Sequence, residues 1–310
     1  MNIDLVLVED EPDEAFTTFW DANNQFYRSS RTTGDIRGGS LGVFDGDSDL
    51  NIGASRLEIG SGGAFRIFEA SSSSVASREL TITGSDASGL EVERRTRVPR
   101  DGYFARHLEL LRNPTTEPIA VDVRLDTHFE FLTNVRNGAA FFDPMQIART
   151  SDGDDALLAA APGGEGDRWV VLDAISQSAN GAVFDSLYPT YAHVWSGVGA
   201  VVEPGSVDYE VDFADRFSRL RGSFSLTILP GETVTLMHFT VQQTSVSAAL
   251  AAAERLSELP PEALVGLGAA ELSTLVNFDP PAGGVSALEA LPALDGEVTG
   301  QVFEGDGVSP

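Results

Sequence analysis

The chain has 310 residues, contains no cysteine, and carries a formal net charge of −27 from 47 acidic and 20 basic residues. Such an acidic surface repels phosphate backbones and anionic lipid headgroups, which argues against nucleic-acid and membrane-surface partners. No stretch reaches the roughly 20 apolar residues that span a bilayer, so membrane insertion is not expected. The missing cysteines exclude disulfides, catalytic thiolates and zinc–thiolate sites.

The basic residues are all arginines, with no lysine in the chain. Life in high salt, where charge repulsion is screened, and GC-rich codon usage both account for this bias, and the sequence does not separate them. The first residues, from Met1 to Asp4, lack the basic and apolar regions of a signal peptide. We therefore expect the export signal of a secreted parent protein to lie outside this sequence.

Alternation of apolar and polar residues is clearest between residues 89 and 132. In residues 119–132, Val121, Val123 and Leu125 alternate with charged residues, which is typical of a long, half-buried antiparallel strand. Residues 89–98 and 104–112 are predicted as two further strands. Residues 113–118 contain two prolines and predict a turn, so we expect residues 104–112 and 119–132 to pair as a hairpin.

Further strands are predicted at residues 64–69, 78–83, 168–174, 191–196, 207–213, 224–228 and 233–242. Many strands without interleaved helices favour a sandwich over a parallel α/β sheet. The predicted fold is mainly β, a large antiparallel β-sandwich over residues 1–243. A distant likeness in fold class points to the supersandwich of galactose-mutarotase-like proteins as a variant of it.

The composition changes near Thr244, where an alanine-rich segment begins. Ser245 or Ser247 is predicted to cap a helix that ends before Pro260, and a second helical stretch covers residues 262–276. We assign residues 244–278 to helices that cap an open end or edge of the sandwich. Residues 279–310 are assigned to a linker and the first strand of a truncated next domain.

Two stretches resemble a module of large multidomain secreted bacterial surface proteins. The first is residues 89–115, with strand, proline turn, strand and the Asn113-Pro114 turn, and the second is residues 236–243 with the helix and Asn277-Phe278 after it. Residues 296–310, Gly-Glu-Val-Thr-Gly-Gln-Val with a later Asp-Gly turn, resemble the opening of carboxypeptidase-regulatory-like and other Ig-like domains. The resemblance implies an extracellular, non-enzymatic role and neighbouring domains as partners, and it assigns no catalytic residue.

The candidate metal site is the loop that contains Asp45, Asp47, Asp49 and Asn51. Closely spaced carboxylate and amide oxygens suit Ca²⁺, the one candidate cofactor, although the spacing is not that of an EF-hand. A solvated acidic turn is the alternative. A weaker acidic loop follows at residues 152–155.

Aromatic residues are the candidates for carbohydrate binding. Tyr188, Tyr191 and Trp195, together with the other two tryptophans, could stack on sugar rings, with the ordinary alternative that they serve the core. We expect Tyr188 and Tyr191 to lie in an exposed loop. His128 and Glu130 share a strand face and could act as acid and base, or form part of a wet face with ion pairs. The other histidines are predicted to be structural.

The sequence thus favours a non-catalytic structural or adhesion module of a secreted or cell-surface protein. The alternative is a carbohydrate-binding or carbohydrate-processing β-sandwich, with polysaccharide or another surface protein as the partner. No catalytic residue is assigned under either interpretation.

Overall fold

The structure is a computed structural model that describes residues 16–39, 55–130, 132–136, 139–158, 166–173, 176–177, 183–184, 189–214 and 217–291. Its strands, in chain order, are β1 (Phe16–Trp20), β2 (Phe26–Ser30), β3 (Ile36–Gly39), β4 (Ser55–Ser61), β5 (Ala64–Ile67), β6 (Ser72–Ala76), β7 (Glu79–Ser85), β8 (Glu91–Arg97), β9 (Ala105–Arg112), β10 (Ile119–Glu130), β11 (Leu132–Arg136), β12 (Ala139–Asp143), β13 (Gln146–Thr150), β14 (Trp169–Asp173), β15 (Ser176–Gln177), β16 (Val183–Phe184), β17 (Thr190–Val194), β18 (Ser206–Asp212), β19 (Phe217–Ile228) and β20 (Thr233–Gln243).

Two eight-stranded antiparallel sheets form most of the described chain. The first sheet has the order β1-β2-β3-β4-β10-β19-β18, with β5 also paired to β4, and the second has the order β13-β14-β17-β20-β9-β8-β7-β6. The pairs β11–β12 and β15–β16 form small separate ribbons. The predicted antiparallel β-sandwich with a short C-terminal helical segment is confirmed.

The predicted hairpin of residues 104–112 and 119–132 is wrong, because β9 lies in the second sheet and β10 in the first. The turn between them carries the chain from one sheet to the other. Asn113 stabilises this connection between the sheets, because its Nδ2 donates hydrogen bonds to the carbonyl oxygens of Glu117 and Ile228, both at 2.8 Å. Proline at a turn ends a strand, but it does not decide whether the next strand pairs with the last one or joins another sheet.

The inner faces of the two sheets share one apolar core. Val123, Leu125 and Phe224 of the first sheet belong to the same buried cluster as Leu236 and Trp195 of the second. Gly222 in β19 gives the indole its space, since a Cβ added there would lie 2.5 Å from Trp195 Nε1. The inward positions of β10 are therefore those predicted from its alternation.

Helix α1 (Val246–Ser257) begins at the predicted cap, where Ser245 Oγ accepts a hydrogen bond from the Ala248 N–H at 3.3 Å. The predicted second helix is two short ones, α2 (Pro261–Leu264) and α3 (Ala269–Thr274). Gly266 between them has φ +81°, a left-handed conformation that interrupts a helix.

These helices cover the outer face of the second sheet, so the prediction that they cap an end or edge of the sandwich is wrong. Helix α1 contacts β14, β17 and β20. Met237, Phe239 and Val241 of β20 form one buried cluster with Ala253 and Leu256 of α1. Strand β20 is thus buried on both faces, because a helix lies on one face and the first sheet on the other.

Residues after α3 remain attached to the second sheet as far as Phe278. Asn277 Nδ2 donates to the carbonyl oxygens of Trp195 and Met237, and the Phe278 ring is buried against Phe239. A short 3₁₀ helix, Ala282–Gly284, follows among mostly exposed residues. The predicted domain boundaries, and the truncated next domain, stay predictions.

Within the described residues, no helix has both the length and the apolar character needed to cross a membrane.

Candidate functional site

The outer face of the first sheet carries ionic side chains, in contrast to the helix-covered outer face of the second. Pairing across β4, β10 and β19 brings these side chains to one surface. We call this surface the charged face, and its members are Arg56, Glu58, Arg124, Asp126, His128, Arg219 and Arg221.

Asp126 lies at the centre of the charged face and is fully buried. Arg219 Nε donates to both of its carboxylate oxygens, at 2.9 and 3.0 Å, and His128 Nε2 lies 3.4 Å from Oδ1. Burial raises the pKa of Asp126, but the hydrogen bonds from Arg219 and His128 outweigh it and hold that pKa well below its usual value. The carboxylate is therefore an ionised acceptor that orients its two neighbours.

A second ion-paired group lies beside the first. Arg124 Nε donates to Glu58 Oε2 at 2.6 Å, and Arg56 Nη1 lies 3.8 Å from Glu58 Oε1. The Arg124 guanidinium also stacks on the Phe65 ring, 4.0 Å from its centroid. A planar guanidinium held between a carboxylate and a ring has little conformational freedom left.

The exposure of the charged face changes along it. Arg56, Glu58, Asp126 and His128 are each less than 10% exposed. At the β18 edge, Arg221 is paired with Asp208 at 3.2 Å and with Glu210, both acids being at least half exposed. The face thus has a buried ionic centre and an accessible ionic edge. The cross-strand ion pairs predicted for the His128 face are present, but the centre of the face is buried, so the predicted wet surface is found only at its edge.

Two of the three aromatic residues predicted to bind sugar are not at the surface. Tyr191 and Trp195 are 0% exposed and lie in the core between the sheets, so neither ring can meet a ligand from solvent. Tyr191 belongs to β17 and not to a loop, which corrects that prediction. Tyr188 lies outside the described residues. Of the tryptophans, Trp20 is the accessible one, at 48%, while Trp169 is 5% exposed.

The three histidines outside the charged face come together inside the sandwich, which the sequence analysis missed. The ring centroids of His107 and His193 lie 4.4 and 5.2 Å from that of His238, and all three rings are nearly parallel. We call these residues the histidine stack. Burial lowers the pKa of each well below the usual histidine value, so the stack is neutral. The signal in the sequence was that each of these histidines occupies an inward-facing position of its strand, on β9, β17 or β20.

Beside the histidine stack, Arg94 is buried between two acids. Its Nε lies 3.2 Å from Glu109 Oε1 and its Nη1 lies 3.6 Å from Asp35 Oδ1. His238 Nε2 lies 3.1 Å from the same Glu109 oxygen. Burial raises the pKa of Glu109 to about 7 and that of Asp35 to about 6, against the opposing charge of Arg94. This cluster is enclosed by the core and offers no contact to a ligand.

Within the described residues, no group of three or more histidine and carboxylate side chains is arranged to hold a metal ion. In the weaker acidic loop, the oxygens of Asp152 and Asp154 accept hydrogen bonds from the Thr150 hydroxyl at 2.8 and 3.0 Å. The carboxylates thus organise a turn. The calcium candidates Asp45, Asp47, Asp49 and Asn51 lie outside the described residues, so that site stays a prediction.

Calcium at residues 45–51 predicts that EDTA lowers the midpoint of thermal unfolding. A ligand held at a hundredfold excess over its Kd stabilises by about 2.7 kcal/mol, a shift on the order of 5 °C for a chain of this size. Asp47→Asn should remove the EDTA effect, and Asp154→Asn, in the weaker acidic loop, should leave it in place. A midpoint unchanged by EDTA would rule out calcium as a structural component.

No protein-family model matches the chain, and no curated protein matches it. Among solved structures it resembles carbohydrate-related β-sandwich proteins. A polysaccharide lyase is 12% identical, with a TM-score of 0.45 over 76% of this chain and 33% of that one. A galactose mutarotase related enzyme from Lactobacillus acidophilus is 8% identical, with a TM-score of 0.40 over 74% of this chain and 97% of that one. A galactose mutarotase-like protein from Lactobacillus casei is 9% identical, with a TM-score of 0.36 over 74% and 100%.

The chain spans about a third of the polysaccharide lyase. At these identities and scores the likeness concerns the arrangement of strands, and neither an activity nor a set of residues transfers from it.

Proposed function

We propose that the chain is a non-catalytic carbohydrate-binding module and that the charged face is its binding surface. The observation that carries the proposal is the ion-paired array on the outer face of the first sheet, flanked by aromatic rings. A secreted or cell-surface parent protein, with neighbouring domains as further partners, is part of the same proposal and follows from the sequence resemblance.

The burial of this array supports a role beyond solvation. An ordinary wet strand face exposes its charges, and exposed ion pairs contribute little to stability. Here Asp126 and Glu58 are buried, while the side chains of their main partners, Arg219 and Arg124, are 23% and 21% exposed. Buried ion pairs are seldom better for stability than apolar residues of similar size. The polar residues are therefore better explained by a ligand.

The chemistry of the array suits a polyhydroxylated ligand. Sugar hydroxyls donate and accept hydrogen bonds, and the accessible edge offers the Arg221 guanidinium as donor beside the carboxylates of Asp208 and Glu210 as acceptors. Their mutual ion pairs fix the side chains before a ligand arrives, so little conformational entropy is lost on binding. The Phe65 ring under Arg124 and the Phe217 ring, 5.6 Å from that of His128, add apolar surface of the kind that packs on sugar rings.

The test is capture of the purified chain on immobilised xylan, galactan, mannan, cellulose and polygalacturonate. The double variant Arg124→Met/Arg221→Met keeps side-chain volume but removes donors on the accessible side of the face. We expect it to lower affinity for the captured polysaccharide by tenfold or more, because hydrogen bonds to charged groups are worth about 1.5–3 kcal/mol each.

The matched control is Arg112→Met, which removes an arginine paired with Glu91 on an exposed part of the second sheet. It should bind as the unchanged chain does. Thermal melts of all variants separate lost binding from lost folding. No capture on any of the five polymers by the folded chain, or equal binding by the double variant, would contradict the proposal and leave a structural or adhesion role without sugar.

A further inference from the structure

Three aromatic side chains of β1 and β2 lie on the same outer face as the charged face; Trp20 is exposed, and Phe16 and Phe26 are half-buried. The Trp20 and Phe26 ring centroids are 5.2 Å apart, and the Arg28 guanidinium lies 4.4 Å from the centroid of the Phe16 ring. We call Phe16, Trp20 and Phe26 the aromatic edge. Their strand neighbours Phe19 and Tyr27 point into the core, so alternation sends the aromatic edge outward.

The register of the sheet connects the aromatic edge to the charged face. Ser29 of β2 lies opposite Ile36, Ile36 lies opposite Ser55, and Ser55 lies opposite Thr127 of β10. This row crosses three strand spacings, about 14 Å. The outward residues next to its two ends are Arg28 and His128. Between them lies Gly38 of β3, where an added Cβ would be 3.2 Å from Arg28 Cβ and 3.4 Å from the Phe26 ring. Because Gly38 has no side chain, the outer face is recessed beside Phe26 and Arg28.

We propose that the charged face and the aromatic edge are two subsites for one neutral oligosaccharide chain. This inference rests on the proposed function and adds the size and charge of the ligand. Trp20 lies on β1, one strand beyond this row, so it is four strand spacings, about 19 Å, from β10. A single sugar ring does not bridge that distance, whereas a chain of several sugar units laid across the strands does. A pyranose stacked on Trp20, which is 48% exposed, would be one end of the bound chain.

The charges of the surface select a neutral chain. Each arginine of the charged face already has a carboxylate partner. The partners are Glu58 for Arg56 and Arg124, Asp126 for Arg219, and Asp208 and Glu210 for Arg221. The face therefore presents donors and acceptors in balance, with no uncompensated cations to attract a polyanion. The net charge of −27 repels one at longer range.

The test uses calorimetric titration of the full chain with dimers and hexamers of β-1,4-linked glucose, xylose and mannose, and with the hexamer of galacturonate. We expect at least one neutral hexamer to bind tenfold or more tightly than its dimer, and the galacturonate hexamer to bind more weakly. Trp20→Ala should weaken the hexamer by roughly three- to tenfold and leave the dimer unchanged. Trp20→Phe should restore most of the loss.

The controls separate this inference from the proposed function. Leu229→Ala removes a similarly exposed apolar side chain at the corner between the sheets and should change nothing. Arg124→Met/Arg221→Met should weaken dimer and hexamer alike. If that double variant loses binding and Trp20→Ala does not, the aromatic subsite is wrong while carbohydrate binding stands. Tighter binding of galacturonate, no binding of any neutral hexamer, or self-association that Trp20→Ala abolishes would each overturn the inference.

Discussion

Replacing Arg94 by methionine should lower the free energy of unfolding by about 3–5 kcal/mol at pH 7.5, the usual cost of removing one partner from a buried ion pair. The guanidinium is enclosed between Glu109 and Asp35, and all three side chains are at most 1% exposed. Methionine fills much of the arginine volume, so the loss reports on charge more than on packing. Urea unfolding measures it.

The matched control is again Arg112→Met. Arg112 lies on β9 beside Arg94's strand β8, but its ion pair with Glu91 is about half exposed, so the loss should be within about 1 kcal/mol. The pH dependence of the stability loss in Arg94→Met is a second test. Without Arg94, protonation of Glu109 and Asp35 removes their buried negative charge. The loss of unfolding free energy caused by Arg94→Met should therefore be smaller at pH 5. A cost below 1 kcal/mol at pH 7.5 would contradict the prediction that Arg94 is one partner of a buried ion pair with Glu109 and Asp35.

The second large effect is acid unfolding driven by the histidine stack. Each of its rings is neutral in the folded chain because burial lowers its pKa, whereas the unfolded chain takes up protons near pH 6.5. The three histidines therefore remove stability as the pH falls below 6.5. Each contributes about 1.4 kcal/mol per pH unit, or roughly 4 kcal/mol together.

Buried carboxyls oppose this loss over part of the range. Glu109, with its pKa raised to about 7, and Asp21 and Asp35, raised to about 6, take up protons in the folded chain before the unfolded chain does. They add stability as the pH falls, until the unfolded values of 4.5 and 3.8 are passed. Between about pH 6 and 4.5 the two sets nearly cancel. Below pH 3.8 only the loss continues, and the lowered pKa of Asp126 adds to it.

We therefore expect the stability to be nearly level from pH 6 to 4.5 and to fall steeply below 3.8. His193→Phe keeps an aromatic ring beside Trp195 and should reduce the slope below pH 3.8 by about 1.4 kcal/mol per unit. Urea unfolding at half-unit pH steps gives both slopes, independently of the baseline stability of the variant. An unchanged slope in His193→Phe would show that this ring is protonated in the folded state.

Local patterns predicted the elements better than their partners. The alternation of Val121, Val123 and Leu125 correctly indicated a long strand with one buried face. The helix start was predicted at Ser245 or Ser247, and the structure has it at Ser245. The pairing of β9 with β10 was wrong because a proline turn has the same composition at a hairpin and at a crossing between sheets. The predicted position of the helices was wrong because an apolar helix face in the sequence does not indicate which surface of the sandwich the helix covers.

The candidate site shows the same division. His128 and its charged neighbours were visible in the sequence as the polar half of one strand. Their ion pairs with Arg219 and Glu58 join residues far apart in the chain, and only the sheet register brings these together. Tyr191 was misplaced because an aromatic residue near a proline fits an exposed loop and a buried strand equally well.

The sequence by itself determined an acidic, cysteine-free β-sandwich with polar strand faces and helices after residue 244. These are properties of composition and short-range periodicity, and each is carried by residues within a few positions of one another. Only the tertiary structure decided which face is covered, that three distant histidines stack around the Arg94 cluster, and that Trp20 shares a surface with Asp126. Those facts depend on which strands become neighbours, and in each sheet one central pair, β9–β20 or β10–β19, joins strands roughly a hundred residues apart in the chain.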